Sequence, residues 1–213
     1  MGKPAIPAGR IPQDLHIHTT FSRLDSAVVP EQTVALVAAV RHADVVGISD
    51  HLESIGEIFD TYADEVRAHG LRVGTEVNGA EWVRLAAQLR AEYYVYHCRD
   101  RSEDYRGAEK LLATGRPVIV AHPLVLHTNL ERVPPQCLIE INNRYVWRDS
   151  WLEGLGPYVR RFGFILGSDA HQPHWLNQNV ARYVARELGV RETLLFRAPA
   201  KETLALGRVR DQH

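Results

Sequence analysis

At 213 residues the chain is long enough for one domain with a substantial core and leaves little room for a second. Its formal charge of -1, from 25 Lys and Arg against 26 Asp and Glu, argues against long nucleic acid or an acidic membrane surface as the main ligand. Cys98 and Cys137 belong to no CxxC pair, which argues against a disulfide framework or a thiolate zinc cluster, and residues 1–13 lack the apolar core of a signal peptide. No later run is long enough to span a bilayer, so a cytoplasmic protein without a membrane partner is expected.

In chain order, the apolar runs predict strands over 14–18, 45–50, 71–77, 93–98, 117–122, 137–142 and 162–168. Helical periodicity predicts helices over 31–41, 58–69, 81–90, 103–114, 150–161 and 178–188. Pro30 stands near the start of the first helix, where a missing N–H costs nothing, and Gly70, Gly115 and Gly189 follow the ends of others as left-handed caps. Residues 1–13 read as a tail, 14–198 as one domain, and 199–213 as a tail or short closing helix. Strands alternating with helices predict an α/β fold with a parallel sheet. Seven strands suggest a barrel with one (β/α) unit fewer than eight, and an open doubly wound sheet is the alternative.

Six of the eleven histidines fall at or beside the downstream ends of these strands. Residues two apart in a strand face the same way, so His16 and His18 can offer two imidazoles to one ion, and Asp169 with His171 repeats the spacing. Between them come Ser49-Asp50-His51, Gly74-Thr75-Glu76, a strand running into His97, and Ala121-His122-Pro123. In a parallel sheet these ends lie together, and a barrel converges them on one pit. Imidazoles with a minority of carboxylates suit zinc, manganese or iron(II) better than calcium or magnesium.

This ordered set, over roughly residues 14–174, resembles the PHP (polymerase and histidinol phosphatase) family of metal-dependent phosphoesterases. The resemblance implies a distorted (β/α)7 barrel carrying two to three divalent ions. By resemblance, His16, His18, Glu76 and Asp169 hold a first ion, and Glu76 bridges to a second bound by His97 and His122. His51 and His171 hold a third. Asp25 is a further candidate for that third position, although family members often carry Ser-Asp-Gly here and this chain reads Ser22-Arg23-Leu24-Asp25-Ser26. Glu76 and Asp169 are the expected catalytic residues, Asp169 as both ligand and proton carrier. Asp50 is expected to support its neighbour without binding directly.

Substrate groups are harder to place. Relatives often carry a phosphate-binding arginine shortly after His-Pro, where this chain has Leu124-Val125-Leu126. Arg144 is the expected substitute, with Arg23 and Arg148 behind it, because a guanidinium fork suits a phosphate. His174 and His127 follow strands on the ligand-bearing face, and His174 joins Arg144 as a substrate-binding candidate. Tyr145, Trp147, Trp151 and Trp175 offer rings for an aromatic platform. His42 and His69, at predicted helix ends, read as structural. The expected activity is hydrolysis of a small phosphate monoester, a nucleotide or a histidinol phosphate-like metabolite. A phosphodiesterase or exonuclease on short oligonucleotides and a non-catalytic metal-stabilised domain are the alternatives.

Overall fold

The computed structural model describes residues 11–197. Seven parallel strands pair in sequence order, β1 (Ile11–Asp14), β2 (Ala43–Ile48), β3 (Arg72–Val77), β4 (Tyr93–Tyr96), β5 (Val118–Val120), β6 (Leu138–Asn142) and β7 (Gly163–Gly167). The helices are α1 (Val34–Val40), α2 (Leu52–Ile55), α3 (Phe59–Ala68), α4 (Val83–Gln88), α5 (Ser102–Leu112), α6 (Trp151–Leu155) and α7 (Asn179–Leu188). The result is a nearly closed α/β barrel, in agreement with the seven predicted strands. Every strand runs parallel to its neighbour because a helical or long looped crossover returns the chain to the same end each time. Among the described residues no helix is long and apolar enough to cross a membrane.

Closure between β1 and β7 is made just beyond the strands themselves. Ile17 pairs with Ala170, Asp169 N donates to His16 O at 2.8 Å, and His18 N donates to Ala170 O at 2.9 Å. The first strand therefore begins earlier than its apolar run predicts. Residues 11–13, expected in the tail, pair with β2 through Ile11 and Gln13. From His16 to His18 the backbone instead alternates partners, with Ser49 N donating to Ile17 O on the other side, so the regular ladder stops at Asp14. The polar pair that hid this strand is fully buried but satisfied: Gln13 Nε2 donates to Thr193 O, and Asp14 accepts from Ser168 N.

Three helices are shorter than predicted. Pro30 lies in the turn before α1, which starts at Val34 where Thr33 Oγ1 accepts from Leu36 N at 3.1 Å. The predicted helix over 81–90 is split into a 3-10 turn, Ala80–Trp82, and α4. The one over 150–161 gives way after Leu155 to a 3-10 turn, Gly156–Tyr158, because Pro157 has no N–H to continue the ladder. The closing helix expected beyond residue 198 lies outside the described residues.

A small apolar cluster of Leu15, Val45, Tyr93, Val95, Ile119, Ala121 and Ile165 fills the barrel interior, and a larger one lies between strands and helices. Tyr93 dominates the interior. A Cβ on Gly47 or Gly74 would overlap its ring or hydroxyl, so glycine at those two strand positions makes the space it occupies.

Candidate metal centre

The downstream strand ends bring His16, His18, His51, Glu76, His97, His122, Asp169 and His171 into one cluster in which all but His51 and His97 are at least nine-tenths buried. His16 Nε2 lies 3.1 Å from His18 Nε2 and 3.1 Å from Glu76 Oε1, and Asp169 Oδ1 lies 3.8 and 3.7 Å from the two ring nitrogens. A tetrahedral ion bound at about 2.0–2.1 Å sets its ligand atoms roughly 3.3 Å apart, so these spacings fit one. Glu76 Oε1 also lies 2.6 Å from His97 Nε2 and 3.7 Å from His122 Nε2, which makes a second grouping around the same carboxylate.

The third grouping joins His18, His51 and His171. Asp25 sits between two of these rings, its Oδ2 being 3.2 Å from His51 Nε2 and 2.8 Å from His171 Nε2. The displaced acid thus reaches the place expected of it. Glu76 Oε2 closes the cluster against His51 Nδ1 at 2.8 Å.

Four rings are aimed by an acceptor at Nδ1, leaving Nε2 to face the cluster. His16 Nδ1 donates to Glu140 Oε1 at 2.7 Å, His97 Nδ1 to Asn78 Oδ1 at 3.2 Å and His171 Nδ1 to Asp169 O at 2.9 Å. His18 Nδ1 lies 3.3 Å from Ser22 Oγ, whose own proton goes to Asp50 Oδ1 at 2.6 Å. Asp50 also accepts from Thr19 N and Oγ1, so it holds the loop after β1 and makes no approach to the cluster centre. Acceptors of this kind fix the tautomer and orientation of metal-ligating histidines.

Burial opposes ionisation of Glu76, but His97, His51, His18 and His16 outweigh it and hold the carboxyl well below its ordinary range. Burial likewise opposes charge on His16, yet Glu140, Asp169 and Glu76 push its pKa well up. Against the same opposition, Glu76 and Asp25 raise His51 to about 11. His18 is lowered by burial and by His171 and His51. Hydrogen bonds from His171 and His51 hold Asp25 far below the usual carboxylate value. Carboxylates that draw protons onto buried rings offer the same field to divalent cations. His122 meets the cluster through Nε2, and its Nδ1 is buried without a hydrogen-bond partner. The residues present fit metal ions.

Sequence reasoning missed Glu140 and Asn142 on β6. Glu140 Oε2 accepts from His122 N at 2.8 Å and from Asn142 Nδ2 at 3.0 Å, while Asn142 Nδ2 also lies 3.2 Å from Asp169 Oδ2. The available signal was a charged residue between Ile139 and Ile141 in a buried strand.

Arg144 reaches the site as expected. Its Nη1 lies 3.7 Å from Asp169 Oδ1 and 3.3 Å from both ring nitrogens of His171. His174 does not: it is exposed and packs edge-on against Trp175, one ring removed from His171. Arg23 and His127 are exposed. His42 pairs with Asp14 and His69 with Glu65, both structural contacts. A cavity of about 670 Å³ at the opposite end of the barrel, lined by Arg41, Asp44, Arg67, Arg72 and Glu92 among others, holds none of these donors.

No family model matches the chain, and no curated protein matches it. Among solved structures, one similar chain comes from a cube-shaped, highly porous protein cage designed by fusing symmetric oligomeric domains. It is 17% identical, with 85% of this chain and 74% of that chain covered, at a TM-score of 0.43. That likeness carries no inference about this chain.

Proposed function

We propose that this protein is a metal-dependent phosphoesterase of the PHP kind, hydrolysing a small phosphate monoester such as a nucleotide or a histidinol phosphate-like metabolite. The observation that carries the reading is Glu76, a buried carboxylate within 3.7 Å of ring nitrogens from His16, His18, His51, His97 and His122 at once. His16, His18, Glu76 and Asp169 would hold one cation, Glu76, His97 and His122 a second, and Asp25, His51 and His171 a third, with zinc, manganese or iron(II) suited to the donors. Bound cations supply the charge that offsets phosphate oxygens and lowers the pKa of a water.

The chain's own groups do the rest. Arg144 orients the phosphate at the mouth of the pit, its guanidinium held beside Asp169 and His171. Asp169 Oδ1 faces the ring nitrogens and takes a proton from the attacking water, while Asn142 fixes the other carboxylate oxygen. Water adds to phosphorus as the ester P–O bond breaks, the proton taken by Asp169 passes to the departing oxygen, and an alcohol and inorganic phosphate leave. The burial of Glu76, Asp169 and their rings limits bulk water around the reacting group.

The test is elemental analysis of the purified protein together with turnover of a chromogenic phosphate monoester and diester, with and without added manganese. Two to three ions per chain with monoester turnover is the expected result. Preference for the diester would move the activity to a phosphodiesterase on short oligonucleotides. Full loading with no ester turned over would leave a metal-stabilised binding domain, and failure to bind any ion would overturn the reading.

A further inference from the structure

The segment after β6 carries two arginines that share one aromatic ring. Arg144 Cζ lies 4.9 Å from the centre of the Tyr145 ring and 4.9 Å from that of Trp175. Arg148 Cζ lies 4.8 Å from the same Tyr145 ring and 5.3 Å from Trp147. Rings and guanidiniums therefore alternate in the order Trp175, Arg144, Tyr145, Arg148, Trp147. The inner end adjoins the candidate metal centre, with Tyr145 5.3 Å from the His122 ring and Trp175 6.1 Å from His171. The outer end is open: Trp147 is 61% exposed, and its Nε1 donates to Arg144 O at 2.8 Å, which fixes the ring in place.

Arg148 differs in its partners from several other arginines of this barrel. Arg72, Arg101, Arg132, Arg161 and Arg182 each meet a carboxylate within 3.0 to 3.1 Å or closer. Among the described residues Arg148 has no carboxylate partner and is held by rings alone. Aromatic stacking limits the rotamers of a long side chain while leaving its N–H donors free, so less ordering entropy is lost when an anion arrives. Because both guanidinium carbons lie within 4.9 Å of one ring centre, they are no more than roughly 10 Å apart, the span of a small metabolite.

We propose that the substrate carries a second anionic group, a carboxylate or a further phosphate, which Arg148 receives while Arg144 takes the scissile phosphate. The proposal rests on the phosphoesterase reading and narrows it from phosphate monoesters at large to those with two anionic ends. Tyr145 sets the separation of the two positions.

The experiment compares three short alkyl phosphate monoesters, matched except that the far end bears a hydroxyl, a carboxylate or a second phosphate, on the manganese-loaded full chain. The expected kcat/KM for the two doubly anionic esters exceeds that of the hydroxyl ester by about tenfold or more at low salt. In Arg148→Ala that ratio collapses toward one, and Arg148→Lys recovers part of it. The preferred member of the anionic pair separates carboxylate from phosphate. A ratio near one in the native enzyme, with the hydroxyl ester turned over, overturns the proposal and leaves the phosphoesterase reading standing, as does a preference that survives Arg148→Ala. Turnover of none of the three removes both.

Discussion

Glu140 holds His16 by its ring and His122 by its backbone, with Oε1 2.7 Å from His16 Nδ1 and Oε2 accepting from His122 N at 2.8 Å. One carboxylate on β6 thus ties the strand ends on either side of the pit. Glu140→Gln keeps the side chain's shape but removes its charge and sets an amide N–H₂ against one of two donors. Affinity for manganese or zinc is expected to fall about 10- to 100-fold. Competition against a chromogenic chelator measures it, and an affinity within twofold of the native chain would show that Glu140 only fills space.

Gly167 leads to the same place by another route. A Cβ there would overlap Glu140 Oε1 and crowd His16. Gly167→Ala should therefore weaken metal binding in the same direction as Glu140→Gln, although Gly167 contributes no donor. The same chelator competition decides it, with thermal unfolding run alongside to separate a displaced carboxylate from a general loss of stability.

Replacing Glu76 acts on every grouping together. Glu76→Ala is expected to lower the ion count per chain and to cut ester turnover by more than about a hundredfold. Arg144→Ala should behave differently, leaving the ion count intact and raising KM about tenfold, since the contact made is to the phosphate. Elemental analysis and steady-state kinetics on both variants distinguish the roles, and a normal KM in Arg144→Ala would remove that residue from the pocket.

Chelation should loosen the fold. Glu76, Asp169 and Glu140 are buried close together, and cations bound only by the native state stabilise it by mass action. Free ion at a hundredfold excess over Kd contributes about 2.7 kcal/mol, or roughly 5–10 °C in Tm for a chain of this size. Thermal unfolding with a chelator and then with manganese restored gives the shift directly; an unchanged Tm in a protein shown to have lost its ions would contradict it.

The two cysteines supply a test of the core. Burial pushes the thiols of Cys98 and Cys137 up to about 12, so almost no thiolate forms near neutral pH. The native chain should resist a disulfide reagent at pH 8 and release two equivalents once unfolded. Rapid reaction in the native state would show that the layer between strands and helices opens readily.

The strand ends were legible because each apolar run terminates in a residue with chemistry: Ile48 before Asp50-His51, Tyr96 before His97, Val120 before His122, Gly167 before Asp169. β1 was not, because Pro12, Gln13 and Asp14 interrupt its apolar pattern, and the buried Gln13 and Asp14 are satisfied by tertiary hydrogen bonds with Thr193, Ser168 and His42, all distant in sequence. For Asp25 the sequence offered position alone, since the contacts that bring it to His51 and His171 depend on how the loop after β1 turns. Glu140 stayed hidden for the opposite reason. The ring that Glu140 orients lies 124 residues away in sequence, and only barrel closure puts His16 against it. Arg148 needed the rings of Tyr145 and Trp147 around it before it differed from any surface arginine.

The seam between β1 and β7 has a consequence for biosynthesis. His16 and His18 leave the ribosome some 150 residues ahead of Asp169 and His171, on the other lip of the seam. A nascent chain that ends after β6 has an open edge and lacks Asp169 and His171. Assembly of the cluster is therefore a late event, and the closing backbone bonds from Asp169 N to His16 O and from His18 N to Ala170 O mark the moment at which translation has delivered a barrel with two lips to join.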